Sequence, residues 1–362
     1  MNISFFGSSL VSAYWNGSCT YYRGLLKELA RLGHRVTFFE PDAYDRQEHR
    51  DMANPEWAEV VVYPATDEGW RRALEQGARH ADLLAKASGV GVFDAELEEA
   101  LPQASARAIR VYWDVDAPAT LDAMANDREH VLHGALPSYD MVLTYGGGDP
   151  VVRGYERVGA RLCVPIYNAL DPETHHPVSR NDDYACDLSF LGNRLPDREA
   201  RVEEFFLKAA SLSPNHRFLL GGSGWDTKAM PQNVRHIGHV GTAAHNAFFC
   251  SGRATLNVNR DSMARYGFSP PTRVFEAAGS GACIITDKWD GIEEFLEPDS
   301  EVLVAASGEE VADILAGLTE HRSGMIAAAA RARILAQHTY AHRARQVNRL
   351  LDDFAATREA AE

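Results

Sequence analysis

No apolar run in the 362-residue sequence approaches the roughly 20 residues that cross a bilayer, so no transmembrane segment is expected. Basic residues are in short supply. Lys and Arg number 36 against 51 Asp and Glu, a formal net charge of −15. Such a surface repels a polyanion, and nucleic acid is not an expected partner. A small anion would need a local cluster of arginines or a helix N-terminus. Cysteine is sparse too. Cys19, Cys163, Cys186, Cys250 and Cys283 are odd in number, dispersed and without metal-type spacing. They point to reduced thiols in a cytoplasmic protein, and against a disulfide or zinc framework. The opening Met1-Asn2-Ile3-Ser4-Phe5-Phe6 lacks a basic n-region and goes straight into a strand pattern, so no signal peptide is expected. No internal repeat or low-complexity segment stands out. What is present is ordinary globular composition, 45% hydrophobic and 24% charged, in a chain long enough for two domains.

The pattern along the chain is α/β. Ile3–Phe6 reads as a buried strand, followed by a loop to Gly17. A helix then places Tyr22, Leu25, Leu26, Leu29 and Leu32 on one face, and Gly33-His34 ends it before a strand over Arg35–Glu40. Further strands are expected at Glu59–Tyr63, Ala108–Trp113, Met141–Tyr145 and Arg161–Pro165. Asn168 to Pro172 looks like a connector, and polar, aperiodic residues run on to Asp183. A second alternating series begins at Asp187–Leu191 and ends in helices that close the chain. The expectation is two tandem Rossmann-like domains facing across a cleft, over 1–170 and 184–338, with a C-terminal helix over 339–362 that packs back on the first. Ligands of such sheets sit at the carboxyl ends of the strands.

The stretch from Asn257 to Asp287 carries the strongest chemical signal. A loop leads into Pro270-Pro271 and a helix, with Ser269 as the expected cap. A helix N-terminus offers unpaired N–H groups and partial positive charge, which suit a diphosphate. Arg273 lies in the first turn, where a cation opposes the dipole unless an anion sits nearby. Glu276 follows one turn later, where a carboxylate can accept ribose hydroxyls. Gly279 and Gly281 let the chain turn into the next strand. An ordinary surface helix is the alternative reading.

The run Phe275-Glu276-Ala277-Ala278-Gly279-Ser280-Gly281, through Ile285-Thr286-Asp287 to Glu293-Glu294-Phe295, resembles the donor-site signature of GT-B glycosyltransferases, above all family 4 and its spore-maturation CgeB-like relatives. Arg265 to Arg273 is similar in make-up to the loop CgeB-like proteins carry there. Gly17 and Gly33-His34-Arg35-Val36 match the usual opening of such enzymes, and Asn168 to Pro172 their connector. Family 4 enzymes usually carry a second Glu eight positions before the ribose-binding one, and here that position is Phe268. The departure fits the CgeB-like branch. The resemblance implies a nucleotide-sugar donor bound by the second half, an acceptor of unidentified class (glycan, small molecule or protein), retention of configuration, no metal and no cofactor.

It also implies further donor contacts from Asn193 and Arg194, from His236 and Gly238, and from Tyr266 and Ser269, while Gly222 in a glycine loop is a candidate for cradling phosphate or letting the base approach, with a plain turn as the alternative. Asn259 and Arg260 are weaker candidates at a strand end. In the first half, Asp114 and Asp116 follow a buried strand, and alternation puts them on one side of an extended chain. They are the candidate catalytic carboxylates, with helix capping as the alternative. Trp15, Asn16 and Gly17, after Tyr14, are candidates for stacking on an acceptor sugar. His133 and the pair His175-His176 lack supporting spacing and read as structural. Three other functions stay open. Asp114-Val115-Asp116 would be a metal motif in a GT-A glycosyltransferase. A nucleotide-sugar epimerase can use the same two-domain fold. A bilobal binding protein would have no catalysis.

Overall fold

A computed structural model describes residues 1–361. The chain divides into two compact units. One comprises Met1–Tyr167 together with the segment from Tyr340 onward, and the other comprises Asn168–Thr339.

The first unit holds a seven-stranded sheet of β1 (Asn2–Phe6), β2 (Arg35–Asp42), β3 (Ala58–Pro64), β4 (Leu83–Ala87), β5 (Ile109–Asp114), β6 (Met141–Thr144) and β7 (Cys163–Pro165). Its order is β3-β2-β1-β4-β5-β6-β7, and every pairing is parallel. Parallel strands covered by helices on both faces must be apolar throughout, which explains buried runs such as Ile3, Phe5 and Phe6. β4 was not anticipated, because Lys86 interrupts its apolar run. The strand tolerates that lysine through two carboxylates: Nζ donates to Asp94 at 2.5 Å and to Glu98 at 2.8 Å. The helix Cys19–Arg31 buries Tyr22, Leu25, Leu26 and Leu29, as its spacing predicts. Leu32 departs from that face. It lies past the last helical turn and is 46% exposed. The terminal helix Tyr340–Ala361 packs on this helix at Gly24, where a Cβ would come within 2.1 Å of the Tyr340 ring.

The second unit holds β8 (Cys186–Leu191), β9 (Phe218–Gly221), β10 (Val234–His236), β11 (Gly252–Asn257), β12 (Ile284–Asp287) and β13 (Leu303–Ala305). The order β10-β9-β8-β11-β12-β13 is again all parallel, and counted from β8 it is the Rossmann order 3-2-1-4-5-6. Leu188, Phe190, Phe206, Phe218, Trp225 and Ile285 anchor its core, each such burial stabilising by roughly 1.5–3 kcal/mol. The connector segment from Asn168 belongs to this unit. Leu170 N–H donates to His338 O at 2.8 Å, and Leu170 pairs with Thr339.

All five cysteines are free thiols. Burial pushes Cys19, Cys163 and Cys186 up to about 12, and Cys283 to about 11. A thiol titrating near 12 is thiolate in roughly one molecule in 10⁴ at pH 8. Iodoacetamide at pH 8 is therefore expected to modify the native protein slowly, half-buried Cys250 first, and all five thiols only on unfolding. Mass spectrometry of the time course checks this, and rapid loss of all five in the native state would contradict the packing.

Candidate active site

Open parallel sheets bind ligands outside the carboxyl ends of their strands, where the strand order reverses. In the second unit that point lies between β8 and β11. Arg273 spans it. Its Nε donates to the Leu191 carbonyl at the end of β8, at 2.7 Å, and its Nη1 to Asn257 Oδ1 at the end of β11, at 2.9 Å. The guanidinium lies 5.2 Å over the Phe190 ring. Among the described residues no carboxylate pairs with Arg273. Burial lowers its pKa to about 9, with the neighbouring Arg198 charge adding to the effect. A desolvated cation without an ion-pair partner is an anion site in waiting.

The loops after β8, β9 and β10 clasp one another beside it. Gly192 N–H donates to Gly221 O at 2.9 Å, Arg194 N–H to Ser223 O at 3.0 Å, and Gly222 N–H to Gly238 O at 2.7 Å. Asn193 Oδ1 accepts from the Ser223 amide at 2.9 Å, and the His236 ring, through Nε2, donates to Gly222 O at 2.9 Å. Asn193, Gly222, His236 and Gly238 thus come together in one cluster. Gly222 sits at φ +131°, and a Cβ there would lie 2.2 Å from Gly192 O. Arg194 belongs to the same loops but is already neutralised. Its guanidinium donates to Glu199 at 2.6 Å and to Thr227 at 3.2 Å. Arg194 and Lys228 together hold the Glu199 carboxyl well below its usual range, at about 2.

The loop before the helix corrects the expected cap. The helix runs Thr272–Gly279 with Pro271 at the N-cap, and no side chain caps it. Pro271 has ψ 157°, so the two prolines stay extended ahead of the first turn. Ser269 falls short of the cap, and its hydroxyl donates to Gly267 O at 2.9 Å. Phe268 takes a left-handed conformation, φ +47°, against Gly291. Tyr266 closes the short helix Asp261–Tyr266 and is half-buried. β11 stops at Asn257, so Asn259 and Arg260 lie beyond it. The Asn259 amide is fixed by Asp287, and Arg260 pairs with Asp197. Glu276, 9% exposed, sits one turn beyond Arg273. One ligand atom each of Glu276, His175 and His245 all lie within 4.8 Å of one another, and these three residues could hold a metal ion.

In the first unit, β5 ends at Asp114, and Asp116 opens the helix Ala117–Asn126. The chain therefore does not continue extended, contrary to the alternation expected. Asp114 is 0% exposed. Its carboxylate accepts from Ser88 Oγ at 2.7 Å, from the Asp116 amide at 2.9 Å and from the Tyr155 hydroxyl, and burial raises its pKa. Asp116 is partly exposed. Trp15 is 61% exposed, with φ +48°. Asn16 is buried and structural: it accepts from Ser8 Oγ at 2.9 Å and donates to the carbonyls of Ser9 and Ser12. Gly17 faces open space.

Residues 198–349 match the model of a family described as glycosyl transferase-like. Sucrose-phosphate synthase from Thermosynechococcus elongatus has the same fold, with a TM-score of 0.72 at 14% identity over 99% of this chain and 100% of that one. Anabaena HepE in complex with UDP-glucose matches at a TM-score of 0.68 and 15% identity, over 98% and 100% of the two chains. AviGT4, a glycosyltransferase involved in avilamycin A biosynthesis, matches at 0.61 and 17%, over 99% and 98%. No curated protein matches the sequence.

The chain has the GT-B fold, and its residues 198–349 match the glycosyl transferase-like family.

The fold sets aside the GT-A alternative. The Asp114 carboxylate is engaged by three internal donors, the Ser88 hydroxyl, the Tyr155 hydroxyl and the Asp116 amide. Among the described residues no helix is long and apolar enough to cross a membrane. His175, read from sequence as structural, lies in the one group of side chains among the described residues that could hold a metal ion. No spacing rule reveals it, because its members come from a connector, the start of one helix and the middle of another.

Proposed function

We propose that this chain is a glycosyltransferase that binds a nucleoside-diphosphate sugar on its second unit and transfers the sugar with retention and without a metal, in the manner of the CgeB-like branch. The observation that carries the reading is Arg273, a cation without an ion-pair partner spanning the strand-order reversal at the start of a helix. Diphosphate charge would be met there by Arg273 and the helix N-terminus. Arg194 would join by exchanging Glu199 for phosphate. Glu276 would accept the ribose hydroxyls. The clasp of Asn193, Gly222, His236 and Gly238 would present backbone to the base, while Tyr266 and Ser269 line the approach to the diphosphate. Complexes of similar proteins with UDP and UDP-glucose make uridine donors the first to try.

The transfer breaks the bond from the anomeric carbon to the β-phosphate oxygen and forms one to an acceptor hydroxyl, whose proton leaves with the diphosphate. On the first unit, Trp15 would offer an aromatic face to the acceptor, beside Asn16 and Gly17. Asp116 would carry the negative charge, and Asp114 would position it through the Asp116 amide. The expected result is release of UDP from UDP-sugar at an undiminished rate in excess EDTA. Loss of turnover in EDTA with recovery on adding manganese would overturn the metal-independent reading.

A further inference from the structure

We infer that His175, His245 and Glu276 form a binding site for a divalent transition metal, with zinc as the fitting ion, whose occupancy opposes donor binding. The opposition rests on the reading of Glu276 as the ribose acceptor; the metal site itself does not.

The hydrogen bonds around the two rings settle their tautomers. His245 Nε2 faces the Val240 carbonyl at 3.3 Å. A carbonyl only accepts, so Nε2 carries the proton. His175 Nδ1 lies 3.0 Å from Thr174 Oγ1, whose own proton goes to Asp171 O at 3.1 Å. Thr174 therefore accepts, and Nδ1 is the protonated nitrogen of His175. Bare lone pairs remain on His175 Nε2 and His245 Nδ1, and both atoms are buried without a hydrogen-bond partner among the described residues. His175 is only 4% exposed. With the Glu276 carboxylate, three acceptors converge, and among the described residues no donor serves the two nitrogens. Unpaired buried acceptors are costly, and a cation resolves both the lone pairs and the charge.

The outer contacts fit the same reading. Metal-ligating imidazoles are held by a carbonyl or similar acceptor on the opposite nitrogen, as both rings are here. Asn246 ties the three parent segments together. Its Oδ1 accepts from the His176 amide at 3.3 Å and from Ser280 Oγ at 2.9 Å, and its Nδ2 donates to Thr174 O at 2.9 Å. Zinc bonds of about 2.0–2.2 Å place tetrahedral ligands roughly 3.3–3.6 Å apart. Groups already within 4.8 Å need only side-chain rotation to close on the ion. Two imidazoles and one carboxylate leave a fourth position open.

The test uses the full-length protein stripped of metal, titrated with zinc and with cobalt(II) as a spectroscopic probe. The expected result is one ion per chain, with the visible absorption of four-coordinate cobalt. His175→Ala and His245→Ala should each weaken binding by at least about 10-fold, the lower bound for losing even an outer contact. His176→Ala, which alters an exposed neighbour, should retain it. No zinc bound, or equal binding by all three variants, overturns the metal site. The cobalt spectrum of the unmutated protein decides the matter even if a variant fails to fold. UDP affinity measured with and without zinc separates the two readings. Weakened UDP binding supports a shared Glu276, whereas unchanged UDP affinity with zinc bound overturns the opposition and leaves the metal site standing.

Discussion

Asp114→Ala is expected to destabilise the first unit by about 3–5 kcal/mol, because three buried donors lose their acceptor at roughly 1–3 kcal/mol each. They are the Ser88 hydroxyl, the Tyr155 hydroxyl and the Asp116 amide. Asp114→Asn keeps the shape and one acceptor oxygen, and should cost only about 1 kcal/mol. Burial raises the Asp114 pKa, so the native state holds that proton more tightly than the unfolded chain does. Its contribution is therefore greatest below the ordinary carboxyl range and declines as pH rises through the raised value. Asparagine should flatten that part of the stability profile. Urea unfolding, followed by fluorescence of Trp113 and its neighbours at several pH values, checks both statements. The two units can unfold separately, so the first transition must be resolved from the second. The functional counterpart is Asp116→Asn, which should lower turnover by about 10²-fold and leave UDP affinity intact. An Asp114→Ala protein as stable as the parent would mean that the buried network is not formed.

Gly222→Ala should abolish donor binding while leaving the sheet folded. The added Cβ would meet Gly192 O at 2.2 Å and Gly192 C at 2.5 Å, both backbone atoms, and φ +131° is closed to alanine. Strain of about 1–3 kcal/mol and overpacking of similar size cannot be relieved without parting the β8 and β9 loops. Parting them breaks the Gly192–Gly221, Arg194–Ser223 and Asn193–Ser223 hydrogen bonds that hold the clasp together. A loss of UDP affinity of at least about 100-fold is expected, since roughly 3 kcal/mol of loop distortion corresponds to that factor. Circular dichroism should show the α/β content unchanged. Normal affinity in this variant would mean that the clasp does not contribute to the donor site.

Much of the fold was legible because parallel strands and amphipathic helices leave different periods in the sequence. β1, β2 and the helix between them announce themselves through Ile3 to Phe6 and the spacing of Tyr22, Leu25, Leu26 and Leu29. β4 did not, because Lys86 breaks its apolar run, and its compensation by Asp94 and Glu98 exists only once the helix Asp94–Ala100 packs on the strand. The same limit governs the site. Arg273 and Glu276 stand out as candidates in the sequence because a cation in a first helical turn, followed one turn later by an acid, is locally unfavourable without a ligand. Ser269 misled because the capping rule is local, whereas two extended prolines displaced the helix start to Thr272. The engagement of Asp114 depends on Ser88 and Tyr155, which meet it only in the folded unit. The pairing of Arg194 with Glu199 lies nearby in sequence, but the sequence alone does not distinguish it from a solvated arginine.

The most direct test of the account is calorimetry of UDP against the parent protein, Glu276→Ala and Arg273→Ala. The account predicts that UDP binds the parent and that Glu276→Ala weakens it roughly 10- to 150-fold, the loss of one charge-assisted hydrogen bond. Arg273→Ala should weaken UDP more than uridine, because its guanidinium serves the diphosphate. Unchanged affinity of both variants, for UDP and for every nucleoside diphosphate that the parent binds, would contradict the placement of the donor on the second unit.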